Sequence, residues 1–250
     1  MNTRTLLSLG VVALAVLAGC NAAPMDSEPV YGPSTTMPDV LDGHQQTIES
    51  SDSFRYNAST SISARDGSDQ QPSQNVTARV NTATGALYVR QRLGDRAVVE
   101  GYSDGNGTAV RRVSAQGQSR VETVAADDVN VTGYVRPNLD GQFDGLNYTH
   151  RGTVERDGQL LHNYTVTSDG LGLAQPRTVG PFSSSDVTHV ESRLLVTDDG
   201  VVRSLTTRLT GQVNENTTYV YTLDIGYDGV GSTTVTEPAW ASQAADDADG

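Results

Sequence analysis

From Ser53 onward, apolar and polar residues alternate along the chain with a period of two. In one stretch Phe54, Tyr56, Ala58, Thr60 and Ile62 share a face, and Arg55, Asn57, Ser59 and Ser61 share the other. Leu146, Tyr148, His150 and Val154 alternate in the same way with Asn147, Thr149, Arg151 and Glu155. Tyr219, Tyr221, Leu223, Ile225 and Tyr227 alternate with Thr218, Val220, Thr222 and Asp224. Successive strand side chains point to opposite faces, so this pattern predicts half-buried strands. Further strands are predicted at 75–81, 86–93, 97–103, 108–114, 119–125, 160–168, 190–197, 201–212 and 230–236. Thr84-Gly85, Asp104-Gly105, Asp157-Gly158, Asp169-Gly170 and Asp199-Gly200 punctuate them as turns, several of the hairpin type. One wet and one covered face means antiparallel pairing. Before the strands, Met37, Leu41, His44 and Ile48 recur at helical steps. Thr36 can cap such a helix, Pro38 suits its first turn and Asp39 complements its dipole. The prediction is a helix over 38–50, weakened by Gly43. Residues 126–145 and 169–189 carry no period and read as loops or short helices. The expected class is mainly β (α+β), an antiparallel sheet with one N-terminal helix.

A second kind of apolar run stands at the N-terminus. Thr5 to Ala18 is shorter than the roughly 20 residues a bilayer-spanning helix needs, and Arg4 precedes it. A basic start, a short apolar core and small residues before a break mark an export signal. Leu17-Ala18-Gly19-Cys20 resembles a lipobox, in which the cysteine thiol receives a lipid and the chain is cut just before it. The chain then divides into a signal peptide (1–19), a lipidated Cys20 with a flexible tether (20–36), one β-rich domain (37–240) and an acidic, disordered tail (241–250). Cys20 is the only cysteine. A disulfide within one chain and a Cys-based zinc cluster are therefore excluded.

Charge narrows the partners. All 17 basic residues are arginine against 30 acidic ones, and losing Arg4 with the leader takes the net charge from −13 to −14. That balance argues against nucleic acid, which needs a basic footprint, and against docking on anionic head groups. Acidic, lysine-free composition is similar to that of salt-loving archaea. Asn-x-Ser/Thr sequons occur at Asn57, Asn75, Asn106, Asn130, Asn147, Asn163 and Asn216. In an exported protein a subset is expected to carry glycans.

Catalytic chemistry is hard to find. No two of the four histidines have the i, i+4 spacing of a helical metal site. His150 and His162 can face each other across a hairpin. No Gly-x-Ser-x-Gly elbow occurs. Gly105-Asn-Gly107 and Gly229-Val-Gly231 sit in turns, and Asp127-Asp128 and Asp198-Asp199 fit turn chemistry better than calcium. Neither an enzyme nor a cofactor is indicated.

A lipobox, a short tether, a helix leading into Ser53-Phe54-Arg55-Tyr56, successive hairpins and a closing Thr234-Val-Thr-Glu-Pro-Ala-Trp240 resemble an uncharacterised family of haloarchaeal lipoproteins. Their layout is in turn similar to the LolA-like and LppX-like lipoprotein carriers. The resemblance, covering 37–240, implies a half-barrel closed on its concave side by helices, with a cavity that holds acyl chains. It implies a membrane-anchored extracytoplasmic lipoprotein that binds a lipid or other apolar ligand. The alternative is a structural or interaction lipoprotein of the envelope without a small ligand. Tyr148, Tyr219, Tyr221 and Leu223 are the expected lining. A groove of roughly 300–1,000 Å³ is the usual size of such a site. Leu139, Phe143, Leu171, Leu173 and Phe182 are the side chains able to plug it.

Overall fold

The computed structural model describes residues 31–107, 109–125, 128–129, 131–136, 139, 146–172, 178–214 and 217–242. The leader, Cys20, Asn130, Asn216 and most of the acidic tail lie outside them. The chain enters through helix α1 (Met37–Ser50) and continues into β1 (Ser53–Ala64), β2 (Gln74–Asn81), β3 (Leu87–Leu93), β4 (Ala97–Ser103), β5 (Ala109–Ala115) and β6 (Gln118–Thr123). A short helix, α2 (Thr132–Val135), precedes β7 (Thr149–Arg156) and β8 (Gln159–Ser168). After the two-residue strands β9 (Thr178–Val179) and β10 (Phe182–Ser183) come β11 (Val187–Val196), β12 (Val202–Asn214) and β13 (Thr217–Asp228).

Eleven of these strands form one curved antiparallel sheet in the order β6-β5-β4-β3-β2-β1-β13-β12-β11-β8-β7. Hairpins build each wing, except that β8 pairs with β11 past the separate β9–β10 pair, and β1 joins the wings by pairing with the last strand, β13, from Arg55↔Asp228 to Ala64↔Tyr219. That long-range pairing brings the predicted faces of 54–62 and 219–227 onto the same side, with Tyr56 beside Tyr227 and Ala58 beside Ile225.

The helix begins where its cap predicts. The Thr36 side chain accepts from the Asp39 N–H, and Asp39 Oδ2 accepts from the Thr36 N–H at 3.0 Å, a reciprocal capping box. Its buried residues are Val40, Leu41, His44 and Ile48, with Met37 only partly covered. Gly43 does more than weaken the helix. A Cβ there would overlap the hydroxyl of Tyr31, and a Cβ at Gly200, whose φ is +94°, would overlap the same hydroxyl from the other side. The two glycines let Tyr31 wedge between α1 and the β11–β12 turn. Consequently the last part of the expected tether is packed, with Tyr31 and Gly32 buried and Tyr164 Oη donating to the Gly32 carbonyl at 3.3 Å.

Three local expectations are corrected. Residues 230–236 form no strand. Gly231 N–H donates to the Ser53 carbonyl at 2.7 Å and Thr233 N–H to Ser53 Oγ at 2.9 Å, which ties this segment to the end of β1 as a turn. Strand β7 begins at Thr149, not at Leu146, and a bulge between His150 and Thr153, with Gly152 at φ +84°, moves Val154 onto the parity of Leu161. Residues 169–189 are not all loop, since they contain β9, β10, a single 3-10 turn and the start of β11.

Candidate functional site

Register places the concave-face residues in rows that cross the sheet. One row runs Tyr164, Leu194, Leu205, Ile225, Ala58, Val76, Gln91, Val99, Val113 and Arg120, from β8 to β6. The next runs Tyr227, Tyr56, Ala78, Val89, Gly101, Arg111 and Glu122. Burial along these rows is unequal.

At the β8–β13 end the face is sealed. Tyr164, Leu194, Leu205 and Ile225 are buried under the N-terminal segment, α1 and α2. His44 stands edge-on to Tyr227, ring centroids 4.3 Å apart, and its Nδ1 accepts the Val202 N–H at 3.3 Å. Burial lowers the His44 pKa to about 4, so the ring is neutral at ordinary pH. Tyr227 Oη donates to the Tyr134 carbonyl at 3.2 Å, which fastens α2 over the same region. Leu139 is fully buried here.

Across β1 to β5 the covering thins. Ala58, Val76, Val89, Val99 and Val113 are all only partly buried, Ala97 likewise, and Leu93 is 38% exposed. Val129 lies against Gly101, where a Cβ would come within 3.4 Å of its methyls, and closes one side. The Arg111–Glu122 ion pair, Nε to Oε1 2.9 Å, and exposed Arg120 form a charged rim beyond Val113. The result is an aliphatic strip on the concave face with a charged edge.

The four residues expected to line a ligand cavity lie between these regions. Leu223 is buried, and Tyr148, Tyr219 and Tyr221 are half-buried. Tyr148 and Tyr221 touch both the main cluster and a second one made by Leu146, Val166, Leu171, Phe182, Val187, Val190 and Leu209. Tyr148 Oη is bonded to Ser192 Oγ at 2.7 Å, Tyr219 Oη donates to Asp69 at 3.0 Å, and the Tyr221 ring packs on Gly180. Of the expected plugs, Leu139, Leu171 and Phe182 do fold onto the sheet, while Phe143 and Leu173 lie outside the described residues. The strip itself was missed in the sequence because its members come from five strands, each contributing one or two small aliphatic residues.

Other candidate groups fall elsewhere. His150 and His162 do face each other, with Nε2 and Nδ1 3.4 Å apart, and His162 Nε2 is 2.8 Å from Asp198. Burial and the neighbouring ring push the His150 pKa down. Among the described residues no three metal-ligating side chains converge. Thr197 Oγ1 donates to Asp199, so that acidic pair serves its turn. Of the sequons, Asn106 and Asn147 are exposed. Asn163 accepts from Arg193 at 2.9 Å. Asn57 and Asn75 line a polar cavity of about 440 Å³ on the convex face, where Asn57 donates to Asp228 at 3.1 Å. Among the described residues no helix is long and apolar enough to cross a membrane.

Comparison with solved structures finds similar folds at low identity. LprF from Mycobacterium bovis has a TM-score of 0.41 at 13% identity, covering 80% of this chain and 94% of its own. Mycobacterium tuberculosis lipoprotein LppX has a TM-score of 0.38 at 11% identity, covering 81% and 100%. A LolA superfamily protein from Nitrosomonas europaea has a TM-score of 0.20 at 11% identity, covering 82% and 96%. No curated protein matches the chain in sequence. Residues 5–244 match the model of DUF7537, a family of unknown function, and the chain belongs to that family.

Proposed function

We propose that this member of a family without an assigned role is a lipoprotein, anchored through Cys20 to the outer face of the cell membrane, that holds a lipid or other apolar ligand on its concave strip. The supporting observation is the unequal fill of one face. Ala58, Val76, Val99 and Val113 continue the row of buried Leu194, Leu205 and Ile225, yet stay partly exposed. Apolar surface left in water loses about 25 cal/mol per Å², which an apolar ligand would recover. Anchoring would keep the ligand source near. The eleven residues from Cys20 to docked Tyr31 reach at most about 40 Å when extended. No chemical step is assigned to the domain, and the reading is of a binding protein, not an enzyme. A halophilic archaeal source fits the acidic, lysine-free composition.

Native mass spectrometry of the lipidated protein, purified in high salt from its own membranes, is the test. The expected result is a non-covalent apolar adduct that disappears in Val99→Asp and in Val113→Asp while the fold is kept. A bare wild-type mass would overturn ligand binding and leave the envelope interaction protein as the reading. Anchoring is tested separately. Cys20→Ser should release the protein from the membrane fraction or leave it uncleaved, because two acyl chains, at about 0.8 kcal/mol per buried methylene, are what hold it there.

A further inference from the structure

The convex face carries a concentration of positive charge that the chain's strongly acidic balance hides. Register sets Arg55 directly opposite Arg79 on neighbouring strands, and Thr77 opposite Arg90, so the three guanidinium groups converge on one patch of β1–β3. Directly opposed like charges on a sheet are destabilising unless something neutralises them. The protein neutralises only part of this patch. Arg55 Nη1 pairs with Asp228 at 3.1 Å. Glu100, opposite Arg90 in the ladder, feels the Arg90 charge but gives its hydrogen bonds to other groups. Its Oε1 accepts from Tyr88 Oη at 2.6 Å and its Oε2 from Arg112 Nε at 2.8 Å. Arg79 and Arg90 are left with no ion pair or side-chain hydrogen bond to any described residue.

These two arginines, with Arg55 and Tyr88, line a cavity of about 560 Å³. Its far wall is the C-terminal segment, through Thr236, Glu237 and Pro238. That segment is pinned on both sides of the cavity, by the Thr233–Ser53 bond and by Trp240, which packs on Val110, Tyr88 and Tyr102 with the Arg112 guanidinium 5.1 Å from its ring centroid. The cavity therefore has a fixed roof, a floor of sheet and two uncommitted guanidinium groups. Guanidinium forks match the paired oxygens of phosphate and sulfate, and such charge-assisted bonds are the strong ones. Glu237 on the wall disfavours a bulky polyanion and suits a single tetrahedral group.

We propose that this convex cavity is an oxyanion site, in which Arg79 and Arg90, with Arg55, take a phosphate or sulfate group. It lies on the opposite side of the sheet from the aliphatic strip and stands or falls independently of it.

The test is calorimetric titration of the full lipoprotein with inorganic phosphate and with sulfate, at constant ionic strength set by chloride. Saturable binding of one anion per chain is expected. It should weaken by about tenfold for each of Arg79→Gln and Arg90→Gln, as loss of a charge-assisted bond implies. The double variant should melt no lower than wild type, because removing unpaired like charges relieves repulsion. Glycerol 3-phosphate serves as the soluble head-group probe. If it binds more tightly than inorganic phosphate the natural group belongs to a phospholipid, and if equally the site takes free phosphate or sulfate. Heat indistinguishable from the chloride control, or affinity unchanged in the double variant, would overturn the site. So would a double variant that melts well below wild type, which would make the arginines structural.

Discussion

The two halves of the concave face are built from the same alternation and end in different states. At the β11–β13 side, large residues (Tyr164, Leu194, Leu205, Tyr227) meet a helix, a wedge of Tyr31 and a neutral histidine, and these residues are buried. At the β2–β5 side, the same parity supplies Val76, Val89, Val99, Val113 and Ala97, whose cover is partial, beside the smaller buried group of Ala78, Val80, Leu87 and Ala109. A strand's alternation states which face is apolar. Whether that face becomes closed core or open surface depends on what the chain brings over it, and here α1 and the N-terminal segment cover only one side.

The largest expected contrast is in stability. Tyr227 is fully buried, meets His44 and Tyr56 edge-on and Phe54 at a tilt, and holds α2 through its hydroxyl. Tyr227→Ala should cost about 3–5 kcal/mol, the range for deleting a buried aromatic. Val113→Ala, on the open side, should cost less, about 1 kcal/mol, since part of its surface stays in water and no closed cavity is left behind. Denaturant melts of the two variants measure this directly. Equal losses would mean that the strip is as tightly packed as the sealed half, and the comparison would collapse.

Acid should open the sealed half first. The His44 pKa falls from the ordinary 6.5 to about 4 on burial, so the unfolded chain binds a proton that the folded chain refuses. Stability is complete above pH 6.5 and falls as pH drops toward 4, by about 3 kcal/mol over the window. His150, also pushed down, adds loss of the same sign. Glu100 is raised by its burial but held below the ordinary carboxylate value by Tyr88 and Arg112, so its protonation in acid adds a further loss of the same sign. Urea midpoints at pH 7 and pH 5 should therefore differ in wild type and converge in His44→Leu. A variant with an unchanged pH slope would mean that the seal does not depend on a neutral histidine.

Salt offers a smaller and more general probe. A net charge of −13 repels itself over a longer range as the Debye length grows from about 3 Å at 1 M to about 30 Å at 0.01 M. Circular dichroism on dilution should show loss of strand signal. Persistence of the fold at low salt would remove the support for a halophilic setting.

Much of this architecture was legible in the sequence because it is local. The helix was announced by Thr36, Pro38 and Asp39, and the β2–β3, β4–β5, β7–β8 and β11–β12 hairpins by Thr84-Gly85, Asp104-Gly105, Asp157-Gly158 and Asp199-Gly200. The parity of 54–62 and 219–227 was correct residue by residue. What stayed hidden was non-local. Nothing near Gly43 indicates that its missing side chain makes room for Tyr31, twelve residues upstream. The bulge at Gly152 reversed the parity of Val154 because a single inserted residue exchanges the two faces. Val230 to Thr236 reads as a strand by composition, but its backbone donors are taken by Ser53. Tyr219, Tyr221 and Leu223 share the face of Ile225 and Tyr227, as their spacing predicts. Sequence could not say that the loop around Phe182 covers them, nor that the more open surface lies several strands away.

The smallest predicted effect tests the wedge inside the sealed half. Tyr31 is 2% exposed, and burial pushes its hydroxyl pKa up to about 12. The hydroxyl sits between Gly43 and Gly200 with no hydrogen-bond partner among the described residues. A buried hydroxyl without a partner forfeits about 1–3 kcal/mol of hydration, so its ring packing, not its polarity, is what fixes the N-terminal segment. Tyr31→Phe keeps the ring and removes the orphan oxygen, and leaves a void smaller than a water molecule between the glycines. The balance should be neutral to stabilising, by up to about 1 kcal/mol. Tyr31→Ala removes the ring and should loosen both α1 and the β11–β12 turn at once. Hydrogen exchange would show this as faster exchange at Val40–Ile48 and Val201–Leu205 with the β2–β5 amides unchanged. If Tyr31→Phe were as damaging as Tyr31→Ala, the hydroxyl would be holding the segment, and the sealed half would owe its closure to a polar contact instead of to packing between two glycines.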